Sequence, residues 1–376
     1  MKMRAAVMYA QGQPRPYAES KPFVIEEIEI DGPRDNEVLV EIRAAGLCHS
    51  DLSTIKGLRP RPLPTVGGHE SAGYVREVGG NIDDLEPGTP CVVAFVSSCG
   101  YCLSCKVGRP NLCETHSAAK SLGELPMGGR RLRINGEEIH HYSCVSCFAE
   151  YAVVPRSAVI PIGEDISIED AALFGCGVIT GAGAVINTAK VPPGATVAVV
   201  GLGGVGLNSL LAAIVSGAAR IIAVDISDEK LALARQLGAT DTFNASDADC
   251  VQQIIEATKG GVDYGFEMAG SVPALETAYA ITRTGGTTTT AGLPSSESGL
   301  TIDVAALVQG EKTLKGSYMG SCVAARDIPR LLALYTQGRL PVDRLRSANL
   351  RLDQINEGFD RLADGSVIRQ VLQTHT

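Results

Sequence analysis

Four cysteines at positions 99, 102, 105 and 113 fall within fifteen residues, a spacing that suits a tetrahedral zinc site with four thiolate ligands. A site with every coordination position filled by thiolate offers none to a substrate, so this lobe reads as structural. Zinc lowers thiol pKa values enough to hold all four as thiolates. An iron–sulfur centre is the competing use of such a set, but nothing else in the chain suggests electron transfer. Three further candidate ligands are scattered: Cys48 in Gly46-Leu47-Cys48-His49-Ser50-Asp51, His69 in Gly67-Gly68-His69-Glu70, and Cys176 in Gly175-Cys176-Gly177. Taken singly, each has a plain explanation, since a buried Cys is commonly just a small hydrophobe.

A second kind of chemistry is written at Gly201-Leu202-Gly203-Gly204-Val205-Gly206. This G-x-G-x-x-G run follows a strand-like Thr196–Val200 and precedes an apolar helical stretch from Leu207 to Val215. Its glycines allow the tight turn and the close backbone approach that a pyrophosphate needs, and the helix N-terminus presents unpaired N–H groups to the anion. The next strand ends in Asp225, placed to accept hydrogen bonds from the adenosine ribose hydroxyls. The same carboxylate repels a 2′-phosphate, so NAD is preferred over NADP.

The elements that must position these residues divide the chain. Up to about Val154, strand-like runs (Glu37 to Ala44, Ala72 to Val78, Pro90 to Val96) alternate with Gly- and Pro-rich turns and read as mostly β. Beyond Val178, buried strands of Val, Ile and Ala alternate with helical patterns, which predicts a parallel sheet. Its candidate strands are Thr196–Val200, Ile221–Asp225, Asp241–Phe243, Asp263–Glu267, Thr287–Ala291 and Thr313–Gly316. Asp228–Leu237 should be helical, with Leu231, Ala234 and Leu237 on one face. Gly181 to Lys190 reads as a connecting helix beside an interdomain cleft. The helical Ala324–Gln337 and the strand-like tail near Val371 are expected to return to the first domain. The α/β organisation expected is therefore a mostly-β domain over 1–177 and 321–376, with a doubly wound Rossmann domain over 178–320.

The chain has 376 residues, 45% hydrophobic and 20% charged, enough for a sizeable core in two domains. Its formal net charge of −9 argues against nucleic-acid or anionic-membrane partners, which need a clustered basic surface. Small-molecule chemistry is the better expectation. No signal-type segment follows Met1–Val7, and no apolar run reaches the roughly 20 residues that span a bilayer. Eleven cysteines without an export signal suggest thiolates in a reducing cytoplasm rather than disulfides. Cys144 and Cys147, Cys91, Cys250 and Cys322 read as core residues. The stretch Glu114 to Gly136, with Arg130-Arg131-Leu132-Arg133, is long for a connection and reads as a functional loop over the cleft or the zinc lobe. A solvated basic turn and recruitment of an anionic substrate are its other readings.

The glycine-flanked His-Glu, the early Cys-His-Ser-Asp, the four-cysteine lobe and the downstream dinucleotide loop together resemble the zinc-containing medium-chain alcohol dehydrogenase family, over essentially the whole chain. The tail Ser366-Val367-Ile368-Arg369 is similar to the family's C-terminal segment. The resemblance implies a GroES-like catalytic domain and two zinc ions per subunit. Cys48, His69 and Cys176 would ligate the catalytic zinc, with an open fourth position, and Cys99, Cys102, Cys105 and Cys113 the structural one. Glu70 would be an outer-shell acid, and Asp51 would orient His69. Ser50 would handle the alcohol proton. For the coenzyme the resemblance implies His49 and Arg369 on the pyrophosphate, Thr180 at the nicotinamide face and Lys230 at the adenosine ribose, beside Gly201, Gly203, Gly204, Val205, Gly206 and Asp225.

Two positions depart from the liver-type pattern: His49 replaces an arginine and Ser53 a relay histidine, so the proton is expected to leave through the ribose hydroxyls or His49. The activity implied is reversible hydride transfer from a primary or secondary alcohol to NAD, in a homodimer or homotetramer. Two alternatives stand beside it. A glutathione-dependent formaldehyde dehydrogenase would carry an arginine shortly after the last structural cysteine, where Glu114-Thr115-His116-Ser117 supplies none. A non-catalytic NAD-binding module of the same fold would not need Cys48, His69, Cys176 and Ser50 intact.

Overall fold

The strands Thr196–Val200 and Arg220–Asp225 are buried at nearly every position, the condition of a parallel sheet covered on both faces. In the computed structural model, which describes residues 1–295 and 297–375, they lie at the centre of a six-stranded parallel sheet. Counted from Thr196–Val200, its order is 3-2-1-4-5-6, running Asp241–Asn244, Arg220–Asp225, Thr196–Val200, Val262–Glu267, Thr282–Thr290 and Thr313–Gly316. This is the doubly wound order of dinucleotide-binding sheets. The fifth strand starts earlier than its apolar pattern shows, because Gly285 and Gly286 interrupt the threonine run while a bulge between Val262 and Tyr264 keeps the pairing. Asp228–Leu237 is a helix capped by the Ser227 hydroxyl, and Leu231, Ala234 and Leu237 form its buried face.

The chain divides into two compact units, one comprising Met1–Cys176, Val323–Thr336 and the chain from Val342 onward, the other Gly177–Cys322 and Gln337–Pro341. In the first, Lys2–Met8, Val24–Ile30, Leu132–Ile134, Glu137–His141 and Thr65–Val66 close into a small barrel. A seven-stranded sheet is centred on Glu37–Gly46, which pairs with Ser71–Val78, Tyr151–Pro155 and the C-terminal strand Arg369–Gln373. The core between them is aromatic: the ring of Phe23 lies 5.7 Å from that of Phe148 and 5.6 Å from that of Phe359. Gly68, at φ +87, leaves no room for a Cβ, which would stand 2.6 Å from the Phe148 ring. The two glycines before His69 thus let that turn lie directly on the core.

The stretch from Glu114 to Gly136, expected as a loop over the cleft or the zinc lobe, contains regular structure. Glu114–Leu122 is a helix and Leu132–Ile134 is a barrel strand. Arg131 is 1% exposed and forms a two-point ion pair with buried Glu37, at 2.8 and 2.5 Å. Arg130 pairs with Glu124, and Arg133 with Asp31 and Glu138. These charges are spent on the fold, so they do not serve an anionic substrate. Among the described residues no single helix is long and apolar enough to cross a membrane.

Candidate active site and metal centres

Cys48 lies two residues beyond the strand Glu37–Gly46 and caps the helix His49–Ile55. Its backbone N–H donates to Asp51 Oδ2 at 3.3 Å, and the other oxygen, Oδ1, lies 2.9 Å from His69 Nδ1. One carboxylate, 1% exposed, therefore fixes both the start of the helix and the orientation of the imidazole. With Nδ1–H given to Asp51, the lone pair of Nε2 faces the opposite way, as in a metal-ligating histidine. His69 Nε2 is buried and, among the described residues, has no nitrogen or oxygen partner, facing instead the two cysteine sulfurs. Cys176 lies between the short turn Leu173–Gly175 and the helix Gly177–Gly183, and Gly175 O accepts from Phe95 N at 3.3 Å.

Donor atoms of Cys48, His69 and Cys176 lie within 4.8 Å of one another, all buried. The hydrogen bond from Cys176, and after it His69, hold the Cys48 thiol well below its ordinary range against the cost of burial. Burial disfavours charge on His69, but Asp51 and then Cys48 outweigh it and raise the imidazole to about 10. The cluster is thus a buried thiolate and carboxylate collecting positive charge, which a cation at Nε2 supplies with the imidazole neutral. Two sulfurs and one nitrogen, with a carboxylate behind the imidazole, match the donor set of a three-ligand zinc site.

Cys99, Cys102, Cys105 and Cys113 likewise bring four sulfurs within 4.8 Å. Backbone N–H groups already point at them: Cys99 N at Cys113 Sγ, 3.4 Å, and Cys102 N at Cys99 Sγ, 3.3 Å. Such bonds favour thiolate, and the set fits a closed tetrahedral zinc. Cys144 and Cys147 belong to different core clusters and are not disulfide-bonded.

Around the first centre the structure adds residues that no spacing announced. The ring of Phe95 stands edge-on to His69 at 5.5 Å, and that of Tyr142 is 6.0 Å away. The Tyr142 hydroxyl bonds Thr54 Oγ1 at 3.0 Å and donates to Ser50 O at 3.4 Å. Ser50 is half-buried in the first turn of its helix and His49 is exposed. Ser53 donates to His49 O at 2.8 Å, so its hydroxyl is engaged in its own helix. Glu70 is fully buried and forms an ion pair with Arg369, itself 4% exposed. These two are 299 residues apart in sequence, and only the C-terminal strand joining the central sheet brings them together.

In the second unit, Gly201 adopts φ +91 against Ala269, and Gly203 opens the twelve-residue helix Gly204–Val215 with free space where a Cβ would stand. The helix N-terminus thus offers an open cradle for a pyrophosphate. Asp225 ends the neighbouring strand; its carboxylate accepts from Leu202 N at 2.6 Å and Ser227 N at 3.0 Å, fixing the acid beside the glycine turn. Thr180 lies in the helix Gly177–Gly183, which packs on the dinucleotide helix through Ser209 Oγ to Gly181 O, 3.0 Å. Lys230 is half-buried in the first turn of Asp228–Leu237.

Comparison with known proteins agrees with this architecture. Residues 34–164 match the alcohol dehydrogenase GroES-like domain, and residues 204–337 the zinc-binding dehydrogenase model. The chain is similar to an alcohol dehydrogenase zinc-binding domain protein from Burkholderia ambifaria, with 37% identity, 100% of each chain covered and a TM-score of 0.94. It is similar to benzyl alcohol dehydrogenase from Acinetobacter calcoaceticus, with 34% identity, 99% of each chain covered and a TM-score of 0.92. A zinc-binding dehydrogenase from Sinorhizobium meliloti, solved with NADP bound, shares 25% identity over 100% of both chains at a TM-score of 0.81. Fold and comparisons together define a zinc-binding oxidoreductase of alcohol dehydrogenase type. The chain belongs to the zinc-containing medium-chain alcohol dehydrogenase family.

Proposed function

We propose that this protein is an NAD-dependent alcohol dehydrogenase, oxidising a primary or secondary alcohol to the aldehyde or ketone at the Cys48–His69–Cys176 centre. The carrying observation is the convergence of three buried donor atoms, two thiol sulfurs and one imidazole nitrogen, within 4.8 Å of one another. On this reading the first unit is catalytic and the second binds coenzyme, and each chain holds two zinc ions. When bound, zinc supplies a Lewis acid for the alcohol oxygen and the nicotinamide accepts the hydride.

The protein's own groups then divide the remaining work. Asp51 holds His69 in one tautomer and one orientation. The Ser50 hydroxyl hydrogen-bonds the alcohol oxygen and takes its proton, steadied by the bonds that Thr54 and Tyr142 make to Ser50 O. Because Ser53 donates to its own helix, the proton continues through the coenzyme ribose hydroxyls or the exposed His49. Phe95 and Tyr142 exclude water and present an apolar wall, which makes benzylic and allylic alcohols natural first substrates. Gly201, Gly203 and Gly206 with the helix N-terminus hold the pyrophosphate, and Asp225 selects the unphosphorylated ribose.

The test is reduction of NAD and of NADP by the zinc-replete protein across aliphatic, allylic and benzylic alcohols, and formaldehyde with and without glutathione. Alcohol-dependent NADH formation, at least tenfold faster than NADPH formation, is the expected result. Turnover confined to formaldehyde with glutathione would transfer the protein to that branch, and no turnover at all would leave a binding module.

A further inference from the structure

Four neighbouring strands of the parallel sheet end in one row. Val200 is paired in register with Glu267, Glu267 with Thr290, and Thr290 with Gly316. Glu267 therefore stands at the carboxyl edge of the sheet, beside the point of strand-order reversal across which dinucleotides bind. With Asp225 at the adenosine ribose on one side of that point, the ends of Val262–Glu267 and Thr282–Thr290 face the nicotinamide half on the other. Glu267 is 1% exposed. A carboxylate is costly to bury, and neither the metal chemistry nor the ribose contact calls for this one.

Both of its oxygens are met by donors: Gly270 N donates to Oε1 at 2.6 Å, and Thr290 Oγ1 to Oε2 at 2.6 Å. The first bond closes the turn 268–270, in which Gly270 adopts φ +75. That turn backs the glycine loop, since a Cβ on Gly201 would stand 2.6 Å from Ala269 N and one on Gly206 3.3 Å from Met268 Cβ. The second bond fixes the end of the next strand. Just beyond it a Cβ on Gly292 would stand 2.5 Å from Gly270 Cα and 2.6 Å from Glu267 Oε2, so the two loops meet backbone to backbone with the carboxylate between them. The line of bonds continues through Thr290 O, which accepts from Ser317 N at 2.8 Å. Ser317 Oγ lies 2.9 Å from Thr188 Oγ1, itself 2.8 Å from Ser321 Oγ. Ser321 closes a turn in which Met319, Gly320 and Ser321 have φ of 51, 61 and 51. Left-handed backbone at Met and Ser is strained and persists only where its surroundings over-determine it. The helix Gly177–Gly183, which carries Thr180, presses on that turn: a Cβ on Gly183 would stand 2.5 Å from Gly320 O.

We propose that Glu267 is a positioning residue for the nicotinamide half of the coenzyme. Acting through the Gly270 N–H and the Thr290 hydroxyl, it holds the loops 268–270 and 291–293 at the spacing the nicotinamide riboside needs, and it touches no reacting atom. The inference rests on reading the second unit as NAD-binding. A charged acceptor makes such bonds roughly twice as strong as a neutral one does, which is why a carboxylate rather than an amide suits this position.

The test titrates the zinc-replete protein calorimetrically with NADH and with ADP, which keeps the adenosine and both phosphates but lacks the nicotinamide riboside. In Glu267→Gln, and in Thr290→Val, which removes the hydroxyl at nearly constant shape, the NADH-to-ADP affinity ratio should fall by roughly tenfold or more, while ADP binding stays within about twofold of the parent. Thr290→Ser, which keeps the hydroxyl, should hold the parental ratio. The Thr290 pair decides the matter even where Glu267→Gln fails to fold. NADH and ADP weakened alike by Thr290→Val, a ratio that this substitution leaves unmoved, or an equal loss in Thr290→Ser would overturn the positioning role while leaving the coenzyme reading intact. A parent that binds neither NADH nor ADP would instead overturn that reading, and the positioning role with it.

Discussion

Asp51→Asn isolates the contribution of one carboxylate at nearly constant shape. Asp51 and His69 are 1% and 2% exposed, and their 2.9 Å contact sets the tautomer that frees Nε2. The amide oxygen still accepts from Nδ1–H, so the imidazole keeps its orientation, but the negative charge that makes the ligand basic is gone. Loss of such an outer-shell partner lowers metal affinity by about 10–100-fold, which is about 1.4–2.8 kcal/mol. An amide nitrogen facing Cys48 N–H cannot accept its 3.3 Å bond, which removes about another 1 kcal/mol from the fold. The assay is zinc retained after dialysis against chelators of graded affinity, with circular dichroism on the same samples. The variant should surrender one zinc at chelator strengths that the parent withstands, keep the second, and remain folded. Equal retention of both ions by variant and parent would refute the argument that Asp51 acts through His69.

Two further outcomes concern the fold. Arg131→Met leaves Glu37 charged and buried without a counter-charge, its Oε2 held only by the Arg34 N–H at 2.9 Å, so the denaturation free energy should drop by about 3–5 kcal/mol; a change under about 1 kcal/mol by urea titration would show that the pair is not needed. Burial, and after it Arg131 and Arg130, push His141 down to about 3. Since the unfolded chain binds this proton near pH 6.5 and the folded one does not, stability is full above about pH 6.5. It falls by about 1.4 kcal/mol per pH unit on the way toward 3. His141→Gln should remove one proton's worth of that slope between about pH 6 and 4, and an unaltered slope would contradict the assignment.

How much was legible in the sequence depended on how local each signal was. The four-cysteine lobe and the glycine loop are contiguous, and their geometry follows the spacing directly. Cys48, His69 and Cys176 are drawn together only by the fold, so their grouping rested on resemblance rather than on periodicity. Apolar runs marked the central parallel strands, whereas Gly285 and Gly286 concealed the start of Thr282–Thr290. The barrel segment from Arg130 to Arg133 read as a solvated turn or a loop because arginine is rarely buried; a two-point partner at Glu37, 94 residues away, reverses that rule. Arg369 followed the family pattern toward a pyrophosphate, and its pairing with Glu70, 299 residues away, had no signal in the sequence. Phe95 and Tyr142 carry no motif at all. Their significance comes from what surrounds them.

The central claim is that Cys48, His69 and Cys176 hold the zinc at which an alcohol gives its hydride to NAD. Cys176→Ala, assayed for zinc content and alcohol-dependent NADH formation on the same preparation, tests it most directly. The parent should hold two zinc ions and turn alcohol over, whereas the variant should hold one zinc ion, keep its fold and show no turnover. A variant that retains two zinc ions, or oxidises alcohol at the parental rate, would contradict it.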